Sequence, residues 1–285
     1  MPSIPHRRRI VQELIDGLFA VVFPTTCSIC SGEVADAGGL GVCRKCWSGV
    51  EPWEGISCER CGLPIASERA ADAAQVLCGA CVANGPPFDL ARAFGVYRGN
   101  LRLLILQLKF RRRESLGRRL GALLADACVK IPGAINGESR LIVPVPLFHS
   151  RERERGYNQA RLLAEGLKHS LHRTPAGKRL AVATGMLVRT RATLPQAGLG
   201  FQARSENVRN AFAVAKPELI TGRQVILVDD VMTTGATLSA CASVLKKQGA
   251  AKVYAVAMAR ATPQFPDTTG LPQPGGVDEA GRDWT

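Results

Sequence analysis

Gln224-Val225-Ile226-Leu227-Val228-Asp229-Asp230-Val231-Met232-Thr233-Thr234-Gly235-Ala236-Thr237 is the stretch that decides the fold. Gln224 to Val228 is an apolar run with the hydrophobicity of a central parallel strand. Two acids close the run, and a Thr/Gly turn follows them. Ala236 to Gln248 then reads as a helix closed by Gly249. Backbone amides of Thr234, Gly235, Ala236 and Thr237 can converge on one phosphate at the helix N-terminus, where the dipole is positive. Gly235 permits the close approach, and the hydroxyls of Thr233, Thr234 and Thr237 can add hydrogen bonds. Asp229 and Asp230, at the C-terminal edge of the strand, can hold sugar hydroxyls directly or through the water shell of a metal ion. The plainer alternative is a strand-turn-helix with capping threonines. Two adjacent buried acids weigh against it.

On both sides of this stretch, strand-like and helix-like runs alternate. Leu90 to Tyr97 reads as a strand, and Leu101 to Leu108 and Leu116 to Val129 as helices. Leu141 to Pro146 is a short buried strand ending in proline, Asn158 to Leu171 a helix, and Lys252 to Met258 another strand. Such alternation predicts an α/β fold, a parallel sheet with helices on both faces. It occupies residues 88–260, after a stop signal at Asn84-Gly85-Pro86-Pro87. The tail, 261–285, is rich in Pro and Gly and is expected to be disordered. At the other end, Ile10, Leu14, Leu18 and Val22 recur at helical spacing, so 1–25 is expected to be an amphipathic leading helix. Glu13 and Asp16 interrupt it and argue against a signal peptide. No run reaches the roughly 18 apolar residues of a membrane span.

Residues 26–85 contain eight cysteines in four Cys-x-x-Cys pairs: Cys27/Cys30, Cys43/Cys46, Cys58/Cys61 and Cys78/Cys81. This segment has few large apolar residues, so metal has to supply what its core lacks. Two residues between thiolates let both sulfurs of a tight turn face one ion, and two such turns complete a tetrahedral site of the structural zinc kind. Eight thiolates make two sites. A sequential arrangement is favoured and an interleaved one stays open. Closed four-sulfur sites leave no open coordination position, so no catalysis is assigned to them. Cys128 and Cys241 fall in helical runs and are expected to be buried and inert.

The formal net charge is +13 over 285 residues, which favours phosphorylated or polyanionic partners. Residues 92–119 carry Arg92, Arg98, Arg102, Lys109, Arg111, Arg112, Arg113, Arg118 and Arg119 against one acid, Glu114. Arg111, Arg112 and Arg113 are the candidate contacts to nucleic acid. Phe110, Tyr157 and Phe201 lie beside basic residues and could stack on bases of a single strand. A surface that merely attracts a small phosphorylated ligand is the rival reading.

The 224–237 stretch resembles the signature with which type I phosphoribosyltransferases bind 5-phosphoribosyl-1-pyrophosphate (PRPP). The whole chain, over roughly residues 12–260, resembles the ComF competence family, which joins a double zinc ribbon to such a domain. Further matches are Val143-Pro144-Val145-Pro146, Arg155-Gly156-Tyr157-Asn158-Gln159, Arg189-Thr190-Arg191, Gln196, Arg204, Asn207-Val208 and Phe212. Tyr97-Arg98-Gly99 and Lys109-Phe110 match as well. The resemblance implies a five-stranded parallel core with a hood, PRPP bound with Mg²⁺, and two structural zinc ions. It places Asp229 and Asp230 at the ribose and the reacting centre, and Thr233, Thr234, Gly235, Ala236 and Thr237 on the phosphate. It also implies a pyrophosphate-binding loop at 147–155, where Arg151, Arg153 or Arg155 would contact phosphate oxygens. The alternative for that Arg-Glu-Arg-Glu-Arg run is a solvated face.

The family role it implies is handling of single-stranded DNA during natural transformation, on the cytoplasmic side and alongside other proteins of the competence machinery. Transfer of phosphoribose from PRPP to an acceptor is the alternative. Purine-salvage relatives place an aspartate base where this chain has Thr233, and a threonine cannot take a ring proton near neutral pH. Eight paired thiols predict about two zinc ions per chain. Elemental analysis of purified protein checks this, and one ion or none would overturn it.

Overall fold

The structure is a computed structural model that describes residues 25–34, 41–66, 75–111, 113–135, 140–175, 177–193, 201–262 and 265. The expected leading helix lies outside these residues apart from Thr25, as do 266–285 of the expected tail. The chain divides into two compact units, 1–51 and 52–285. In the first, strands β1 (Thr25–Thr26) and β2 (Glu33–Val34) pair antiparallel, and helix α1 (Arg44–Ser48) follows.

In the second unit, helix α2 (Gly79–Asn84) precedes an alternating series. It runs β3 (Leu90–Val96), α3 (Gly99–Phe110), α4 (Glu114–Val129), β4 (Arg140–Pro144), α5 (His149–Arg155), α6 (Gln159–Leu171) and β5 (Leu180–Val182). Strand β6 (Leu187–Arg189), α7 (Phe201–Val208), β7 (Phe212–Val214), β8 (Gln224–Met232), α8 (Ala236–Lys247) and β9 (Lys252–Arg260) complete it. Five strands form one parallel sheet in the order β3-β9-β8-β4-β5. The expected α/β parallel sheet is thus present. Strand β8 is central, and Val225, Ile226, Leu227 and Val228 are fully buried. Side chains alternate along a strand. Val225 and Leu227 pack in one cluster with Leu238, Cys241 and Leu245 of α8, while α4 and α6 cover the other face.

Strands β8 and β9 both run further than their apolar cores predict. Strand β8 continues through Asp229 and Asp230 to Met232, because β9 pairs with it as far as Met232 opposite Arg260. The register carries the acids inside the sheet instead of beyond its end. The expected tail also begins inside the fold. Ala261 donates its N–H to Met232 O, and the Phe265 ring lies 4.9 Å from that of Trp53.

The division between units falls between the two cysteine quartets, whereas the sequence placed it at 84–87. Hydrogen bonds onto the backbone beside the second quartet explain the difference. The Ala91 amide donates to Arg60 O at 2.8 Å and Arg92 Nη1 to Glu59 O at 2.7 Å. Cys58, Cys61 and Cys81 share a buried cluster with Phe88, Ala91, Met232 and Ala236. The turn after Cys61 makes this fit possible. Gly62 has φ +65°, and a Cβ there would stand 2.7 Å from Ala91 O. Gly62→Ala combines left-handed strain with a backbone clash, and should destabilise the second unit by on the order of 1–3 kcal/mol. Gly79→Ala, at an open helix start, should stay within about 0.5 kcal/mol. Denaturant titration of both variants tests this pair of values.

Candidate functional site

Strand β8 delivers the two acids to the C-terminal edge of the sheet on opposite faces. Asp230 is buried, and its Oδ1 accepts an ion pair from Lys109 Nζ at 3.2 Å. Its Oδ2 is also buried and lacks a hydrogen-bond partner among the described residues. Asp229 accepts the Asp230 N–H on Oδ1 at 2.9 Å. Burial, then the charge of Asp230, pushes the Asp229 carboxyl up from an ordinary 3.8 to about 7, against the opposing pull of Lys109 and Arg189. Two carboxylates held this close need a cation.

Basic side chains from three separate elements supply one. Lys109 comes from the last turn of α3. Arg155, the last residue of α5, feels the charge of Asp230, while its burial disfavours the cation. Arg189, at the end of β6, is held similarly by burial and feels Asp229. Arg151 acts on both Arg155 and Arg189. It stands one helical turn before Arg155 and so shares a face with it. Arg153 falls on the other side of the helix and is exposed. The expected loop at 147–155 is therefore mostly a short helix. It presents Arg155 towards Asp230, sets Arg151 near Arg155 and Arg189, and leaves Arg153 in solvent.

The Arg155-Gly156-Tyr157-Asn158-Gln159 run is a joint. Arg155 Nη1 donates to Gln159 Oε1 at 2.9 Å, and its guanidinium lies over the Phe110 ring. The Tyr157 hydroxyl donates to Leu108 O. Asn158 caps α6 by accepting from the Ala160 N–H, and donates to Val145 O at the end of β4. These bonds fix the end of α3, and with it Lys109, against β4 and α6.

The turn after β8 faces the same edge. Gly235 has φ +82° and ψ +5°, and a Cβ there would meet Met232 Cε at 2.8 Å. Only glycine holds that conformation cheaply. Thr234 Oγ1 accepts from the Ala236 N–H at 3.3 Å. Asp229, Val231, Thr233, Gly235 and Thr237 line one concavity. Asp229 and the turn predicted for phosphate binding thus share a cleft, while Asp230 points to the other face of the sheet. The sequence placed Lys109 and Arg189 only among basic or family-matching residues, and the fold brings both to the acids. Arg189 also lies over Phe212 across the β6–β7 pair, and Arg191 donates to the carbonyls of Asn207 and Arg209. Arg189 and Phe212, and Arg191 and Asn207, are thereby held together. Gln196 lies outside the described residues.

The basic stretch 92–119 does not form one continuous surface. Arg102 is fully buried, Arg92 binds Glu59 O, and Lys109 binds Asp230. Arg111 is exposed, Arg113 is half-buried, and Arg112 lies outside the described residues. Phe110 is half exposed and Tyr157 is buried, so only the former offers a ring. The Phe201 side chain is not among those described.

The cysteines form two sequential quartets, Cys27/Cys30/Cys43/Cys46 and Cys58/Cys61/Cys78/Cys81, with all sulfurs of each within 4.8 Å of one another. Cys30 and Cys43 sulfurs lie 3.7 Å apart, and those of Cys61 and Cys78 3.6 Å. A tetrahedral zinc site with Zn–S near 2.3 Å has sulfurs about 3.8 Å apart. Backbone amides aim at the sulfurs, Cys43 N–H at Cys27 and Cys46 N–H at Cys43. A hydrogen bond from Cys61, against burial, pulls the Cys58 thiol down to about 4, and the same bond pushes Cys61 up. Four thiolates so close cannot all ionise without a cation. The residues fit two structural zinc ions.

Two family models match the chain: the double zinc ribbon domain over residues 18–82 and the phosphoribosyl transferase domain over 177–269. The DNA utilization protein YhgH of Escherichia coli K12 is 33% identical over 238 residues, covering 83% of this chain and 97% of that protein. Competence protein F of Haemophilus influenzae is 33% identical, covering 84% and 98%. Competence protein ComFC of Bacillus subtilis is 25% identical, covering 74% and 80%.

The raised Asp229 carboxyl sets a pH dependence. A group whose acidity weakens on folding adds stability that is full below its unfolded value, 3.8, and is lost as pH rises through its folded value. The melting temperature of the ligand-free protein should therefore fall, relative to Asp229→Asn, between about pH 4 and pH 7. The gap should level off above that range. A constant gap across the range would show that Asp229 ionises normally.

Proposed function

The chain belongs to the ComF competence family, and from that premise we propose that it binds PRPP with Mg²⁺ at the acid pair and handles single-stranded DNA during uptake. One observation carries the PRPP reading. Two acids, one of them with a buried unpartnered oxygen, meet Lys109, Arg151, Arg155 and Arg189 beside a glycine turn at a helix N-terminus. That set suits a ligand carrying both sugar hydroxyls and phosphates. Asp229 and Asp230 take the ribose hydroxyls, and Thr233 to Thr237 take the 5-phosphate on amides and hydroxyls. Arg151 and Arg155 take the pyrophosphate, where guanidinium forks match its oxygens. Bound Mg²⁺, held through the acid pair, would neutralise pyrophosphate charge.

Phosphoribosyl transfer is the second reading, favoured by the same basic wall. Displacement at C1 of the ribose releases pyrophosphate, and Arg151 and Arg155 stabilise the charge that gathers on it. Thr233 offers no base, so the acceptor would have to arrive as a nucleophile.

The DNA reading is supported by the names of the relatives and by Arg111 and Phe110, which are exposed side by side. Among the described residues no helix is long and apolar enough to cross a membrane. We place the protein in the cytoplasm, beside other uptake proteins. The double variant Asp229→Asn/Asp230→Asn should lose Mg²⁺-dependent PRPP binding in calorimetry by at least about tenfold, while keeping its fold and zinc. Wild-type binding in that variant would refute the site. Separately, Arg111→Ala/Arg112→Ala/Arg113→Ala should weaken single-strand binding and flatten its salt dependence by roughly 0.7 for each phosphate no longer neutralised. An unchanged slope would move the DNA surface elsewhere.

A further inference from the structure

Arg260 closes strand β9 opposite Met232 and is only 5% exposed. Its guanidinium reaches two places at once. Nη2 lies 4.0 Å from Cys61 Sγ. Nη1 lies 4.0 Å from the position a Cβ on Gly235 would take. Nε and Nη1 have no hydrogen-bond partner among the described residues. A buried guanidinium with unmet donors is costly unless a charge close by compensates it.

The second quartet is that charge. It meets the guanidinium at Cys61, whose Sγ lies 4.0 Å from Nη2. Four thiolates around one divalent ion keep a net negative charge, and a neighbouring guanidinium offsets it. The other edge of the same group backs the phosphate turn. Met232 and Ala236, which flank that turn, lie in one packed cluster with Cys58, Cys61 and Cys81.

We infer that Arg260 is a positioning residue that couples the second cysteine quartet to the 233–237 turn, so that loss of metal from this quartet loosens the turn. The first quartet lies in the other unit and serves as an internal reference. The consequence for PRPP affinity rests on the function proposed above. The coupling itself does not.

The test uses the full chain, wild type against Arg260→Met and Arg260→Lys, with zinc release to a chromogenic chelator and hydrogen exchange as readouts. Lysine keeps the charge but not the fork, and it covers the case in which the Met variant does not fold. Zinc should leave the second quartet about tenfold faster in either variant, with exchange rising in peptides covering 58–81 and unchanged in 27–46. Amides of 233–237 should exchange about tenfold faster in the same variants, and in wild type stripped of zinc. Second-site release at the wild-type rate would overturn the role at the quartet. Faster exchange at 58–81 with 233–237 unchanged would overturn the coupling. Calorimetry with PRPP and Mg²⁺ on the same samples separates the two readings. Absence of PRPP binding in wild type, with exchange changed as expected, removes the ligand and keeps the coupling.

Discussion

Two carboxylates on consecutive residues of a buried strand repel each other, and the second unit is arranged around that repulsion. Strand β8 cannot end before Asp229, because β9 pairs with it beyond both acids. The acids therefore sit where water cannot fully solvate them, and the Asp229 carboxyl rises to about 7. Lys109 binds one oxygen of Asp230, and Arg155 and Arg189 approach from elements far apart in sequence. Holding those cations in place takes the Tyr157 and Asn158 hydrogen bonds, which fix α3, β4 and α6 to one another. A strained, charged centre of this kind is a candidate binding site on physical grounds.

Much of this is legible in the sequence. The hydrophobic run at 224–228, the helix behind Gly235 and the long helices at 114–129 and 159–171 have the periodicity that burial demands. The cysteine spacing predicts two four-sulfur sites, and proximity settles the sequential pairing. Other features are hidden for physical reasons. Asp229 and Asp230 break the apolar pattern, so the strand reads as finished although a partner strand holds it open. Strands β5, β6 and β7 have three residues each, too few for any period to show. Arg102 is fully buried inside a stretch whose composition reads as surface. Lys109 and Arg189 can be named from the sequence, but only the sheet's topology brings them to the acids.

The second zinc ribbon follows a similar logic. A small metal module can fold on its ion alone. Here its backbone also donates and accepts hydrogen bonds with β3, and its sulfurs sit in the sheet's own core. Gly62 lets the knuckle lie against Ala91 without a side chain between them. The ribbon thus extends the core past the sheet edge.

Alternation along β8 gives Asp229 and Asp230 different neighbourhoods. Asp230 faces the ends of α3 and α5 through Lys109 and Arg155, while Asp229 faces Arg189 and Cys241 of α8. The two walls share the strand, the pull of Lys109 on Asp229, and the charge of Arg151 on Arg155 and Arg189. A substitution in the β6–β7 wall reaches Asp229 first, and one in α3 or α5 reaches Asp230 first. One strand thus offers a ligand two differently built faces, because its pleat turns consecutive acids to opposite sides.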